Sequence, residues 1–101
     1  MKKIKFYKWD TAEYLKSEND IKRYLEAVFN DGDPNLISEA LGNIARARKM
    51  MGSIAKEAKV NNKSIYRSLS TKGTPYFRTI NTAVHSLGYQ LTIAPLKQSA
   101  A

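Results

Sequence analysis

Apolar residues recur every three or four positions along most of this chain, the spacing that lines one face of an α-helix. Ile21, Leu25, Val28 and Phe29 mark the buried face of a helix that Asn19 or Asp20 can cap and that runs to about Phe29. Before it, Asp10 can cap a shorter helix through Ser17, with Ala12 and Leu15 turned inward. The cluster NDGDP breaks the pattern. Pro34, at a first helical position after Asp33, then opens a long helix reaching about Met50, with Ile37, Leu41, Ile44 and Ala45 as its stripe and Leu36, Ala40 and Ala47 on the flanks. Arg48 falls at the end of that stripe, where its stem can cover apolar surface and its charge meets the negative end of the helix dipole. Gly52 is expected to end this helix and Ser53 to cap the next. After the breaker-rich loop STKGTP, Pro75 opens a last helix whose inward residues are Phe77, Ile80, Val84 and Leu87, and Gly88 stops it.

There the period changes from that of a helix to that of a strand. Tyr89, Leu91 and Ile93 alternate with Gln90 and Thr92, which predicts a short C-terminal β-strand. A lone strand cannot satisfy its own backbone, so a second copy of the chain, a partner protein or the N-terminal Lys2 to Lys8 segment must pair with it. Lys2 to Lys8 reads either as a short strand or as a loosely held basic arm, and the polar tail beyond Pro95 is expected to be disordered.

The segment SIAKEAKVNNKSIYRSL, Ser53 to Leu69, stands out within this series. Ile54, Ala55 and Ala58 face inward from one short helix, Val60 plugs the corner, and Ile65 and Leu69 sit four apart on a second: the layout of a helix-turn-helix. Ala55 is small enough for a close helix crossing. Asn62, Lys63, Tyr66 and Arg67 remain on the outer face of the second helix at spacings of three and four, so they form one patch suited to a DNA major groove. An Ala/Ile/Leu stripe at this spacing is also what any packed helix pair shows. Lys59 stands where such turns favour Gly, at a cost of roughly 1 kcal/mol if it takes positive φ, and Ser68 stands where an apolar residue is common.

Charge separates these readings. The chain of 101 residues carries a net +8, but residues 1 to 43 hold seven Lys/Arg against eight Asp/Glu, whereas 44 to 101 hold ten Lys/Arg against Glu57 alone. A half at −1 is thus joined to a half at +9, and the basic half contains the motif. Concentrated positive charge is the footprint of phosphate binding, since each neutralised phosphate releases condensed counterions; an anionic membrane or an acidic protein partner attracts it too. Charge and motif together favour DNA. Side-chain chemistry then assigns roles: Arg67 donating in bidentate fashion to guanine, Asn62 pairing with adenine, Lys63 serving a base or a phosphate, Tyr66 meeting a thymine methyl or a phosphate. Ser53, Lys72, Thr74 and Arg78, at helix starts or in the following loop, are placed for phosphate contacts that fix orientation without reading sequence.

Other chemistries find little support. At 43% hydrophobic residues the chain can bury one modest core, and it has no apolar run of the roughly 18 residues that a membrane span requires. MKKIKFYKWD has charge but no apolar segment or cleavage site behind it, so a cytoplasmic protein is expected. With no cysteine and one histidine there is neither a disulfide framework nor an imidazole metal cluster. His85 lies in a helix that explains it, no phosphate-cradling glycine loop is present, and the carboxylate pairs Glu18 with Asp20 and Asp31 with Asp33 sit at helix starts. Neither an enzyme nor a cofactor is expected.

Several blocks, taken in order, make the chain resemble the addiction-module antidotes of helix-turn-helix type, the antitoxins of bacterial toxin-antitoxin operons. They are WDTAEYL and DIKRYLEA, then DGDPNLISEALGNIARARKM, SIYRSLS, GTPYFRTI and LGYQLTI, which together cover nearly the whole chain. The resemblance implies a mainly α, repressor-like helix-turn-helix domain of about five or six helices with a short C-terminal β-strand. It further implies a dimer that represses its own operon and neutralises a small ribonuclease-like toxin. Asn62, Lys63, Tyr66 and Arg67 match the family's DNA-reading face by position. The near-neutral N-terminal region is the candidate for toxin contact, through Trp9, Tyr14, Leu15, Tyr24 and Leu25. The expected organisation is an N-terminal helical region over 1–33, a DNA-binding domain over 34–94 and a tail over 95–101. A stand-alone phage-type repressor is the nearest alternative, and a basic protein-interaction module without specific DNA affinity is a more distant one.

Overall fold

The structure, a computed structural model, describes residues 17–96. The helix expected between Asp10 and Ser17, the Lys2 to Lys8 segment and the end of the tail lie outside them. Five helices make up the described part: α1 Glu18–Asp31, α2 Pro34–Ala47, α3 Met51–Ala58, α4 Asn62–Ser68 and α5 Phe77–Ser86. Helix α1 packs on α2, and α2, α3 and α5 pack on one another with α4 held against α3. Ile21, Tyr24, Leu25 and Val28 of α1 therefore share one core with Leu41 and Ile44 of α2, Ile54 of α3, Ile65 of α4 and Val84 of α5.

Local chemistry explains the boundaries. Ser17 is the cap of α1, its hydroxyl accepting from the Asp20 backbone N–H at 3.0 Å, so the helix starts before the expected Asn19 or Asp20. Asp33 caps α2 in the same manner, accepting from Asn35 N–H at 2.9 Å with Pro34 opening the helix. At the other ends, Gly32 and Gly88 take positive φ and close α1 and α5, as their sequence positions suggested.

Helix α2 ends earlier than predicted. Lys49, at φ 57, turns left-handed; its N–H reaches the carbonyl of Arg46 while Met50 N–H reaches that of Ala45, the paired bonds of a Schellman stop. Gly52, expected to end the helix, lies inside α3 with room around it. Ser53 does not cap α3 either: Met50 holds the cap position without a side-chain bond, and Ser53 sits within the first turn. At the start of α5 the cap is Tyr76, not Pro75, and Phe77 is 72% exposed although predicted inward, because the first turn of the helix runs past the core. Thr79, Ala83, Val84 and Leu87 are the buried residues there.

The predicted C-terminal strand is not formed among the described residues. Its side-chain alternation is nevertheless visible, since Tyr89 and Leu91 are half-buried against the core while Gln90 and Thr92 are exposed. Tyr89 N–H bonds to the Val84 carbonyl as part of the α5 stop, and no described backbone segment lies within reach to continue a ladder.

Charges that sequence spacing left unpaired also find partners. The Arg48 guanidinium meets the Glu18 carboxylate across 30 residues of chain and ties the start of α1 to the end of α2. The Tyr24 phenol accepts from Asn43 Nδ2 at 3.2 Å, and Asn43 Oδ1 accepts from Arg46 at 2.7 Å. Burial raises the Tyr24 pKa, with the bond from Asn43 opposing that shift. The neutral phenol therefore contributes fully below the tyrosine range and loses its contribution as pH climbs through the raised value.

Candidate nucleic-acid interface

Helix α3 ends at Lys59, whose φ of 62 and ψ of 44 place it in the left-handed region. Its N–H bonds to the Lys56 carbonyl and that of Val60 to Ala55, so the corner is a Schellman stop with Val60 supplying the apolar contact of the motif. The left-handed corner that the sequence required of a non-glycine residue is thus formed. Lys59→Gly is expected to remove the steric penalty and raise stability by up to about 1 kcal/mol; a thermal melt checks this, and a clear loss of stability would contradict the left-handed corner.

Beyond the corner, Asn61 caps α4, its Oδ1 accepting from Ser64 N–H at 2.8 Å. With only seven residues, α4 depends on this cap and on two anchors, Ile65 and Leu69, both fully buried. Ile54, Ala55 and Ala58 supply the facing surface of α3, each at 2% exposure or less, and Ala55 provides the small contact the crossing needs. Asn61→Ala is expected to lower stability by about 1 kcal/mol, measured by chemical denaturation; no change would mean that the cap does not hold the helix.

These anchors leave one face of α4 free. Asn62, Lys63, Tyr66 and Arg67 are all exposed, Tyr66 at 49%. The loop that follows is folded back onto the helix by Gly73, which is buried: a Cβ there would stand 1.9 Å from the Ser68 carbonyl oxygen and 2.6 Å from that of Arg67. Gly73 N–H bonds to the Ser70 carbonyl, and the Ser70 hydroxyl donates to the Arg67 carbonyl at 2.7 Å. Lys72 and Thr74, both exposed, are held beside the last turn of α4 in consequence, and Arg78 is exposed in the first turn of α5. Ser53 is exposed on α3. Lys63, Arg67, Lys72 and Arg78 form no ion pair among the described residues, so their field is not neutralised from within.

Sequence reasoning missed Asn61, whose Asn-x-x spacing before Ser64 was the available signal, and Gly73 as the residue that folds the loop. It also missed Tyr76, which is 75% exposed, and treated Phe77 beside it as core. The toxin-contact expectations fare differently. Trp9, Tyr14 and Leu15 lie outside the described residues, while Tyr24 and Leu25 are buried at 2% and 6% exposure and present little surface to any partner. The apolar stripe of α1 faces α2 and so consumes both. No group of side chains suited to a metal ion occurs among the described residues, and no described helix is long and apolar enough to cross a membrane.

Two short helices thus meet at a left-handed corner, the second anchored on one side and polar on the other, within an all-α domain of five described helices. The chain belongs to the family of probable addiction module antidote proteins, whose model matches residues 5–95. An uncharacterized protein of Haemophilus influenzae is 38% identical to it over 85 residues, which cover 84% of this chain and 87% of that protein. No solved structure matches the chain significantly. An antidote of this family is not an enzyme.

Proposed function

We propose that this antidote is a DNA-reading regulator as well as a toxin partner: a dimer that represses its own operon and neutralises the toxin encoded beside it. The observation that carries the DNA-reading part is the outward polar face of α4, where Asn62, Lys63, Tyr66 and Arg67 are exposed together while Ile65 and Leu69 hold the helix from behind. Arg67 and Asn62 have the donor patterns that distinguish guanine and adenine in a major groove. Lys72, Thr74, Arg78 and Ser53 contact phosphates, which orient the helix without specifying sequence. Dimerisation doubles the number of base pairs read and matches a two-fold operator.

Toxin contact belongs to the N-terminal region over 1–33. Because Tyr24 and Leu25 serve the core, the part of α1 available to a toxin is its outer face, where Asn19 and Arg23 are exposed. Two readouts in a bacterial host test the proposal. Expression of the neighbouring toxin alone should arrest growth and co-expression of this chain should restore it, while a reporter driven by the operon's upstream DNA should be repressed. Arrest that the chain does not relieve would remove the toxin pairing; an unrepressed reporter would remove the regulatory role.

A further inference from the structure

The stretch Leu87 to Leu96, LGYQLTIAPL, contains no charged residue in a chain whose net charge is +8. Gly88 at φ 95 turns it away from α5, and from Gln90 to Ala94 no hydrogen bond is made among the described residues. It runs beside α1, and between them lies an open groove of about 850 Å³ whose apolar lining includes Leu25, Phe29, Val84, Tyr89 and Leu91. Lys22 and Glu26 on the groove wall pair with each other at 3.9 Å, so the wall is neutral too. Ile93 continues the Tyr89, Leu91 alternation yet is 96% exposed, covering nothing.

We infer that Tyr89 to Ile93 is a dimerisation strand that pairs antiparallel with the same segment of a second copy, about a two-fold axis at Leu91. The inference deepens the proposed dimer and rests on that reading. Three observations select a second copy as the occupant. The N–H and C=O groups from Gln90 to Ala94 make no bond among the described residues and are open to pairing with a strand. A two-fold axis satisfies both copies with one segment, as an isologous interface requires. Two strongly basic chains also repel least where they present an uncharged edge. Centring at Leu91 sets Ile93 of one copy opposite Tyr89 of the other, on the side of the groove, which gives Ile93 an apolar contact. It also sets Gln90 opposite Thr92 on the outer side. The ladder ends where Leu87 and Gly88 close α5, since their N–H groups are already bonded within the helix stop.

The register can be tested through Gln90 and Thr92, both exposed, by measuring the mass of the full chain at tens of micromolar without DNA. The wild type should have twice its chain mass of 11.4 kDa. Q90K/T92K places like charges directly opposite and should weaken the dimer at least tenfold; Q90K/T92E places opposite charges there and should return it to within about threefold of wild type. The helical circular-dichroism signal should be the same in all three. For the wild type alone, exchange of the Gln90 and Thr92 amides, which face the partner strand because Tyr89 N–H is taken by the Val84 carbonyl, should slow as concentration rises. A monomeric wild type, a Q90K/T92K dimer of undiminished strength, or a Q90K/T92E dimer as weak as Q90K/T92K would each overturn the interface. A monomer that still recognised its operator would overturn it while leaving the DNA-reading role intact.

Discussion

Gly42→Ala is expected to lower stability by about 2 to 3 kcal/mol, against the usual sign of that substitution within a helix. At an unobstructed helical position, alanine gains roughly 1 kcal/mol over glycine. Gly42, however, is buried in α2 where the end of α4 crosses it, and an added Cβ would lie 2.0 Å from the Leu69 carbonyl oxygen and 3.3 Å from the Leu69 Cβ. The obstacle is backbone and cannot rotate away, so relief requires α4 to shift from α2 and uncover Leu69. Overpacking of this kind costs roughly 1 to 3 kcal/mol or more, enough to reverse the propensity gain. For a domain of this size each kcal/mol moves the melting temperature by about 4 to 8 °C, so a fall of roughly 10 °C or more is expected by calorimetry. Gly52→Ala is the matched control: within α3 it meets nothing inside 4 Å and should raise the melting temperature. An equal rise for Gly42→Ala would contradict the close approach of α2 to α4.

Arg67→Ala is expected to weaken binding to the operon's own upstream DNA by about 1 to 3 kcal/mol, roughly ten- to a hundredfold, and to narrow the gap between correct and altered sequences. Arg67 is exposed, forms no ion pair among the described residues and supports no part of the core, so its loss should move stability by no more than about 0.5 kcal/mol. Lys72→Ala should behave differently, weakening every duplex alike and flattening the dependence on salt by about one counterion. The pair of variants separates base reading from phosphate attraction. Unchanged discrimination in Arg67→Ala would mean that another face of α4 meets the bases.

Much of the fold was legible because its strongest signals are periodic. The stripes of α1 and α2, the pair Ile65 and Leu69, and the cluster before Pro34 placed those elements within a turn of where they lie. The left-handed corner at Lys59 was legible against residue preference, since Val60 and the inward residues on both sides fixed the turn between them. What escaped were features decided by backbone meeting backbone. Lys49 is an ordinary helix residue by propensity, and the stop there goes with the packing of Met50 against the core. Gly52 resembled a stop because glycine so often is one, yet inside α3 it merely tolerates the helix. Gly42 and Gly73 gave no local sign of the carbonyls that crowd them. Phe77 shared the periodic face of α5, but periodicity does not say where a core ends. The segment at Tyr89 had its alternation, but no described residue of the chain gives it a backbone partner. For the candidate site, the residue types on α4 were readable from spacing, whereas the loop that brings Lys72 and Thr74 beside them depends on Gly73.

The most direct test of DNA reading by α4 is an equilibrium titration of the purified chain against its own upstream duplex and a scrambled duplex of equal composition, at 50 and 200 mM salt. Binding to the upstream duplex should stay tighter than to the scrambled one by a large factor at both salts, because base contacts do not release counterions. Equal affinities that collapse together at the higher salt would contradict the account and leave the basic half of the chain as a general electrostatic surface.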